Sequence, residues 1–498
     1  MHNLSKSKLI AFRQCPKRLW LEIHRPELRE DSPTTQASFQ AGHQVGEVAR
    51  RIYDPEGRGA LIDAQTEGYA AAFARTERLL SEAKAPIFEA GLHTEGALAF
   101  ADVMLPVRVK GRRAWRMVEV KSSTSVKDYH HDDVAVQTFI AQAAGVNLHS
   151  VAVACIDSAW VYPGGGDYRG LLMETDLTEE AMGRADEVRQ WLAEAQAIAA
   201  KRREPTVAMG AHCREPFECG FCNYCSRDLP QPEYPVNWLP HLSGRQRTQL
   251  EALGVDDLRQ VPDALLNGRQ RLVKAQTLTN KVYFDAKGAA ADLKPHGLPA
   301  RFLDFETVMF AVPIWAGTRP YQQIPFQFSL HLFTAAGRVT HEEFLDLSGD
   351  DPTGPFAKAL IQACGQRGPI YVYNVGFERA RISELAERYP GLAPELQAIN
   401  GRLVDLLPIA RERYYHPAQQ GSWSIKAVLP NAVPEMNYAN LEGVQDGSMA
   451  MDAYAEAIRP DTPAERKAEI RQQLLAYCGM DTLALVRLWE FFRGGSKG

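Results

Sequence analysis

Residues 300–308 read ARFLDFETV, a strongly β-prone run in which Asp304 and Glu306 stand two apart. Side chains two apart on a strand leave the same face, so both acids project together while Phe305 packs on the other side. The strands IPFQFSLHLF and RVTHEEFLDL follow as a pair, then PIYVYNV, RLVDLLPIA and a long terminal helix. Strands alternating with helices predict an α/β layer fold over 296–498. PIYVYN breaks at Asn374-Val375-Gly376 into a helix, which places Glu378 at a strand-to-helix junction. Thr462-Pro463-Ala464-Glu465 reads as a capping box with Pro in the first helical position. Farther along that helix Tyr477 and Asp481 are four apart and share a face. Gly479 between them costs about 1 kcal/mol relative to Ala, which predicts a local break or a close backbone approach.

Acidic groups gathered from separate elements repel unless cations neutralise them. A two-metal site about 3.5–4 Å across uses that arrangement, with Asp304, Glu306, Glu378 and Asp481 as ligands and the Tyr477 hydroxyl holding a water. The plainer alternative is four separate, solvated acids. A glycosidase built on Asp304 and Glu306 is excluded, because two acids on one strand face cannot flank a sugar.

The whole chain has 498 residues, enough for two to four domains, with 45% apolar and 23% charged residues. Its net charge of −5 gives no global basic field, so any contact with nucleic acid must come from local patches such as Arg108, Lys110, Arg112, Arg113 and Arg116. The N-terminus lacks an uninterrupted apolar core, and no run approaches the roughly 18 apolar residues of a spanning helix. A cytoplasmic protein without a membrane partner is expected. Three segments follow from composition: 1–230, a helical stretch 231–295, and 296–498. Within the second, LEALGVDDLRQVP reads either as a helix-hairpin-helix offering backbone N–H groups to a phosphate, or as a plain linker.

In the first segment, FADVMLPVRVKGRRAWRMVEVKSS holds two β-prone runs, 102–109 and 115–121. With Gly111-Arg112 as a two-residue turn, Asp102 faces Lys121 and Met104 faces Glu119. Asp102, Glu119 and Lys121 then share one face, where two carboxylates can hold a hard divalent cation and an ammonium can stabilise charge on a phosphate oxygen. The alternative is an exposed face with a cross-strand ion pair. Tyr129 and Gln137 lie on or beside the helix predicted at DDVAVQTFIAQAAGV, from which an amide can reach the same place.

Four of the eight cysteines, Cys213, Cys219, Cys222 and Cys225, fall within thirteen residues. In a reducing compartment such crowding signals a metal, either a closed zinc knuckle of these four or a set in which Cys15, in FRQCPKRLW, supplies the first ligand. Cys155, Cys364 and Cys478 sit in apolar runs and read as buried small hydrophobes.

These motifs carry two resemblances. Asp102, Glu119-Val120-Lys121 and Gln137 resemble the second, third and following motifs of RecB-like PD-(D/E)xK nucleases. The family's first motif would lie in AGHQVGEVARRIY, where His43 and Glu47 are offered outside the usual frame. Several such nucleases hold a [4Fe–4S] cluster with one cysteine before the core and three after it. That resemblance implies Cys15, Cys213, Cys219 and Cys225 as ligands, Cys222 as the alternative, and Zn2+ as the competing metal. Asp304-Phe305-Glu306, then Asn374 through Glu378, then Tyr477 through Asp481 resemble the motifs of DnaQ-like, RNase H-fold 3′–5′ exonucleases of the tyrosine subclass. In them Asp405 is usually structural and the second motif normally supplies Asp, so Glu378 departs from the pattern. PYQQIPFQFSLH resembles a prokaryotic family of uncharacterised function that joins the two kinds of domain.

The resemblances imply a PD-(D/E)xK restriction-endonuclease-like core (1–230) and an RNase H-like α/β domain (296–498), joined by a helical connector (231–295). They imply a nuclease that uses Mg2+ or Mn2+ at both centres on nucleic acid, with DNA the expected polymer. A nucleic-acid-binding scaffold with one or both centres inactive is the alternative.

Overall fold

The computed structural model describes residues 2–436, 438 and 441–494. The chain divides into two compact units, Met1–Leu229 with Phe310–Gln322, and Pro230–Met309 with Gln323–Gly498. The helical stretch 231–295 therefore groups with the C-terminal unit. Residues 310–322, between two strands of that unit, group instead with the first, where Ala311 and Val312 are buried among Val45, Val48, Ile156 and Leu171.

The first unit is built on a seven-stranded mixed sheet. Its strands are β1 (Leu4–Ser5), β2 (Ala60–Leu61), β3 (Ile87–Thr94), β4 (Ala97–Val109), β5 (Arg112–Lys121), β6 (Leu148–Ile156) and β7 (Leu172–Asp176). The order is β2-β3-β4-β5-β6-β7, with β1 pairing parallel to β4. The β4/β5 hairpin forms, but its register differs from the expected one. Val109 pairs with Arg112 and Val103 with Val118, so the turn is Lys110-Gly111, at φ +49° and +78°. Positive φ at both central residues fits the twist of a two-residue hairpin, and Gly111 adopts it without steric cost. The pairing moved by two positions. Because side chains alternate with period two, Asp102, Glu119 and Lys121 still share a face. The helix Asp128–Ala143 joins β5 to the parallel strand β6.

The second unit holds β8 (Tyr283–Phe284), β9 (Ala300–Val308), β10 (Ile324–Phe333), β11 (Val339–Leu345), β12 (Ile370–Val372), β13 (Leu403–Asp405) and β14 (Tyr414–Tyr415). Five of them form a sheet in the order β11-β10-β9-β12-β13. β10 is antiparallel to both neighbours, whereas β12 and β13 run parallel to β9. Alternation along β9 decides what each face meets. Leu303 and Phe305 pack with Phe356, Leu360, Ile382 and Leu385 of the helices Thr353–Cys364 and Gly376–Arg388. Asp304 and Glu306 turn to the opposite face, with Phe302, whose ring meets Trp489 of the helix Ala464–Arg493 edge-on.

Three local expectations fail in this unit. The last helix begins at Ala464, and Thr462 makes no N-cap, because its hydroxyl donates to the Glu456 carbonyl instead. That helix runs unbroken through Gly479, where a Cβ would meet only His341 at 3.7 Å, an ordinary contact. Tertiary packing outweighs the small propensity cost of one glycine. Finally, Gly254 is left-handed (φ +63°), yet two 3-10 turns follow it and the next α-helix starts at Gly268, so no compact helix-hairpin-helix forms.

Candidate functional site

In the second unit the alternation of β9 sends Asp304 and Glu306 toward Tyr477 and Asp481 on the helix Ala464–Arg493. Glu378 arrives from the first turn of Gly376–Arg388, which starts where β12 ends. That junction is held by Asp405. Its carboxylate accepts from the backbone N–H groups of Asn374 (2.9 Å), Val375 (3.1 Å) and Leu407 (2.9 Å), a structural use of the acid. Asn374 sits at φ +75°, the sharp reversal that points the helix start back at the sheet.

The five predicted residues of this centre, Asp304, Glu306, Glu378, Tyr477 and Asp481, line one cavity of about 470 Å³. Glu306, Glu378 and Asp481 are 6%, 2% and 7% exposed. Burial is the first cause that drives all four carboxyls upward. Asp304 is raised by burial and then by Asp481, Glu306 and Glu378. Glu306 is raised by burial and Asp481, with Lys426 opposing. Burial lifts Asp481 to about 6 and Glu378 to about 8. Glu378 Oε2 is buried without a hydrogen-bond partner.

Three further residues belong to this centre and were not anticipated. Tyr438 donates to Asp481 Oδ1 at 2.5 Å. Lys426 lies over the rings of Tyr438 and Tyr477, 5.5 and 5.0 Å from their centroids, and donates to the Gln445 carbonyl at 2.6 Å. Cys478, read from sequence as a buried hydrophobe, is buried, but its sulfur and one oxygen each of Asp304 and Glu306 lie within 4.8 Å of one another.

In the first unit, Glu119 is 2% exposed and accepts from three donors. Its Oε1 accepts from Lys6 Nζ (2.6 Å) and Lys121 Nζ (2.8 Å), and its Oε2 from the Gln137 amide. Burial opposes its charge, but the ammonium groups of Lys121 and Lys6 overcome that and hold its carboxyl well below the usual range. Lys121 also binds Asp133, and its own titration is displaced upward because Glu119 and Asp133 outweigh the cost of burial. Asp102 Oδ2 accepts from the Val120 N–H at 2.7 Å, and burial followed by Glu119 raises its carboxyl well above normal. The structure thus brings together Asp102, Glu119, Lys121 and Gln137.

Lys6, Glu89 and Asp133 also belong to this centre and were not expected. Glu89, at φ +54°, interrupts the pairing of β3 with β4 between Phe88↔Val103 and Ala90↔Ala101, opposite Asp102. An acid inside the apolar run IFEAGL was the available signal. Burial and Glu119 raise the Glu89 carboxyl, and His43 is close enough to act against that. Both His43 and Glu47 are exposed on the helix Pro33–Tyr53. The Tyr129 ring packs edge-on against His130 and Phe217. In the basic patch, Arg116 is ion-paired with Glu174.

Cys15, Cys213, Cys219, Cys222 and Cys225 line one small cavity together with His212, and all five thiols are free. Cys15 comes from the junction of the helices Lys6–Gln14 and Pro16–His24, and the rest from the end of the unit. Cys225 interacts electrostatically with Cys15, Cys213 and Cys219. Cys222 interacts likewise with Cys213 and Cys225, and its thiol donates to the Cys213 carbonyl at 3.4 Å.

Fold and sites together define an α/β protein of two units, each with its own buried acidic centre. Residues 301–424 match a family described as a domain of unknown function (DUF2779), a stretch that carries Asp304, Glu306, Glu378 and Asp405 and ends before Tyr477 and Asp481. No curated protein matches the chain. Among the described residues no helix is long and apolar enough to cross a membrane.

Proposed function

We propose that this protein is a metal-dependent nuclease with two phosphodiester-cleaving centres, acting on nucleic acid, with DNA the expected polymer. The observation that carries the reading is the cavity of the second unit, where four acids from three elements face one another with carboxyls held up by burial, and for Asp304 and Glu306 by the neighbouring acids as well. Such a group is stable as a set of anions only around cations. The strand order 3-2-1-4-5 with the second strand antiparallel supports an RNase H-like fold for this unit, and the acid–acid–Lys face beside a helical Gln supports a PD-(D/E)xK core for the first.

The donor sets fit hard divalent cations, Mg2+ or Mn2+, held by Asp304, Glu306, Glu378 and Asp481 in one unit and by Asp102 and Glu119 in the other. When bound, such ions activate water and neutralise charge on the phosphate. The chain's own residues do the rest. Tyr477 presents its hydroxyl to the attacking water, and Lys426 offsets excess negative charge beside Glu306 and Asp481. In the first unit Lys121 fixes Glu119 and offers a proton donor toward the phosphate, while Gln137 holds the second carboxylate oxygen.

The cysteine cavity is read as the [4Fe–4S] site, with Zn2+ as the competitor. All five thiols line this cavity and Cys222 interacts with Cys213, Cys219 and Cys225, so the choice of Cys15, Cys213, Cys219 and Cys225 rests on the resemblance and on the engagement of Cys222 by the Cys213 carbonyl.

The test is digestion of end-labelled single- and double-stranded DNA and RNA with Mg2+, Mn2+ or chelator. Stepwise loss of 3′-terminal nucleotides, abolished by Asp304→Asn, is the expected result for the second centre. Intact substrates under every metal condition would leave the scaffold reading in its place.

A further inference from the structure

Against the carboxylate cavity of the second unit lies another cavity, of about 610 Å³, which shares Tyr373, Asn374 and Ile425 as a common wall. Its chemistry is the opposite. No Asp or Glu lines it, while Arg247 and His241 enter from the helical connector and Arg411 from the helix Leu407–Arg413. Among the described residues neither Arg247 nor Arg411 is ion-paired, whereas nearby Arg269 pairs with Glu412, and Arg413 with Asp285 and Asp292. Arg411 Nε is buried without a hydrogen-bond partner. A guanidinium donor withdrawn from water and left unpaired is expensive unless an anion completes it.

The cavity is built rather than incidental. Gly421 sits at φ +76° with the Trp238 carbonyl so close that a Cβ would fall 1.6 Å from its oxygen, which locks the connector against the cavity wall. Gln270 Nε2 donates to the Pro240 carbonyl at 3.0 Å, and His241 is held at φ +50°. On one side of the Asn374 turn, then, stands a group that needs cations, and on the other a group that needs an anion. A polynucleotide strand presents phosphates in succession and can satisfy both.

We propose that the second cavity is a phosphate-binding site for the strand being cut. It seats two adjacent phosphodiesters, one at each guanidinium, some linkages away from the one at the carboxylates, so that the connector is part of the substrate site. This rests on the nuclease reading of the carboxylate cavity.

The test compares the full chain with its Arg247→Gln/Arg411→Gln variant in chelator. Fluorescence anisotropy measures binding of a labelled single-stranded oligothymidylate and of a labelled dinucleotide over a salt series. The variant should bind the oligomer about tenfold or more weakly, with a slope of log K against log salt shallower by about 1.4, two phosphates at about 0.7 each. The dinucleotide, with its single phosphodiester, can fill only part of the cavity and should be weakened less than the oligomer, with a slope change of at most about 0.7. Arg247→Gln alone, at an exposed position, should flatten the slope by about 0.7, so the proposal remains testable if Arg411 is needed for folding. Equal affinity and equal slope for the oligomer would overturn it. If the arginines govern binding while no 3′ end is shortened in Mn2+, the phosphate site stands and the nuclease reading falls. Shortening of 3′ ends that is indifferent to both arginines would keep the nuclease reading and remove the phosphate site.

Discussion

Glu378 offers the sharpest test of a cation-dependent acidic centre. Its carboxyl titrates near 8 in the fold against 4.5 in an unfolded chain, because burial penalises the charged form. Between those values the folded protein holds a proton that the unfolded chain has released, so stability is full below about pH 4.5 and falls as pH rises toward 8. At about 1.4 kcal/mol per pH unit, the loss over about 3.5 pH units is about 5 kcal/mol as an upper figure; water entry and side-chain relaxation bring the expected value to about 2–5 kcal/mol. Glu378→Gln keeps the shape of the side chain and cannot ionise. In chelator at about pH 8.5 it should melt about 5–15 °C above the parent, and at about pH 5 the two should coincide, as read by thermal denaturation of the full chain. The raised acids Asp304, Glu306 and Asp481 give both proteins a shared pH dependence, so the difference between them isolates Glu378. Mn2+ should flatten the parent's curve and leave that of the variant steeper. Parallel losses in the two proteins with rising pH would refute the electrostatic reasoning, and a variant less stable at both pH values would show that Glu378 is held by hydrogen bonds instead.

Lys121→Ala, in a protein whose second centre is silenced by Asp304→Asn, should lower the remaining cleavage by about 10²–10³, since the cation beside Glu119 and Asp133 is lost; digestion as fast as in Asp304→Asn alone would remove the first centre from the proposal. Anaerobically purified protein should carry iron and visible absorbance, and Cys219→Ser should lose both; stoichiometric zinc without iron would assign the thiols to a zinc site. Gly421→Ala should cost about 2–4 kcal/mol, because the new Cβ meets the Trp238 carbonyl from a left-handed backbone. A urea midpoint unchanged by that substitution would mean the connector is not locked there.

Much of the second unit was legible because its signals are local. The period-two pattern of ARFLDFETV placed β9 at Ala300–Val308 and put Asp304 and Glu306 on one face. The Tyr477/Asp481 spacing placed both on one side of the last helix. What failed were signals that tertiary partners outvote. Thr462 had a capping sequence, but the Glu456 carbonyl took its hydroxyl. Gly479 carried a propensity penalty too small to break a thirty-residue helix packed along the sheet. The hairpin turn moved by one residue because Lys110 accepts φ +49° ahead of Gly111, a place that residue-type rules give to Asn, Asp or Gly rather than Lys.

The residues missed at both centres share a different physical cause. Lys6 reaches Glu119 from 113 positions away, and Tyr438 reaches Asp481 from 43. Nothing in the spacing of either pair encodes the contact; only the closed sheet and the packed helix create it. The acids were visible because catalysis by cations needs several carboxylates, and two of them sat on one strand. The groups that tune those acids are single residues on distant elements, whose role exists only once burial has removed water as the competing partner. Burial also converts Glu378 from a departure in motif spelling into a chemical feature. A longer acid pushed to about 8 keeps one oxygen unpartnered, and at lower pH its proton competes with any cation for the same site. An acidic centre so arranged should therefore load cations more readily above pH 8 than below it, in the same pH range where the empty fold becomes least stable.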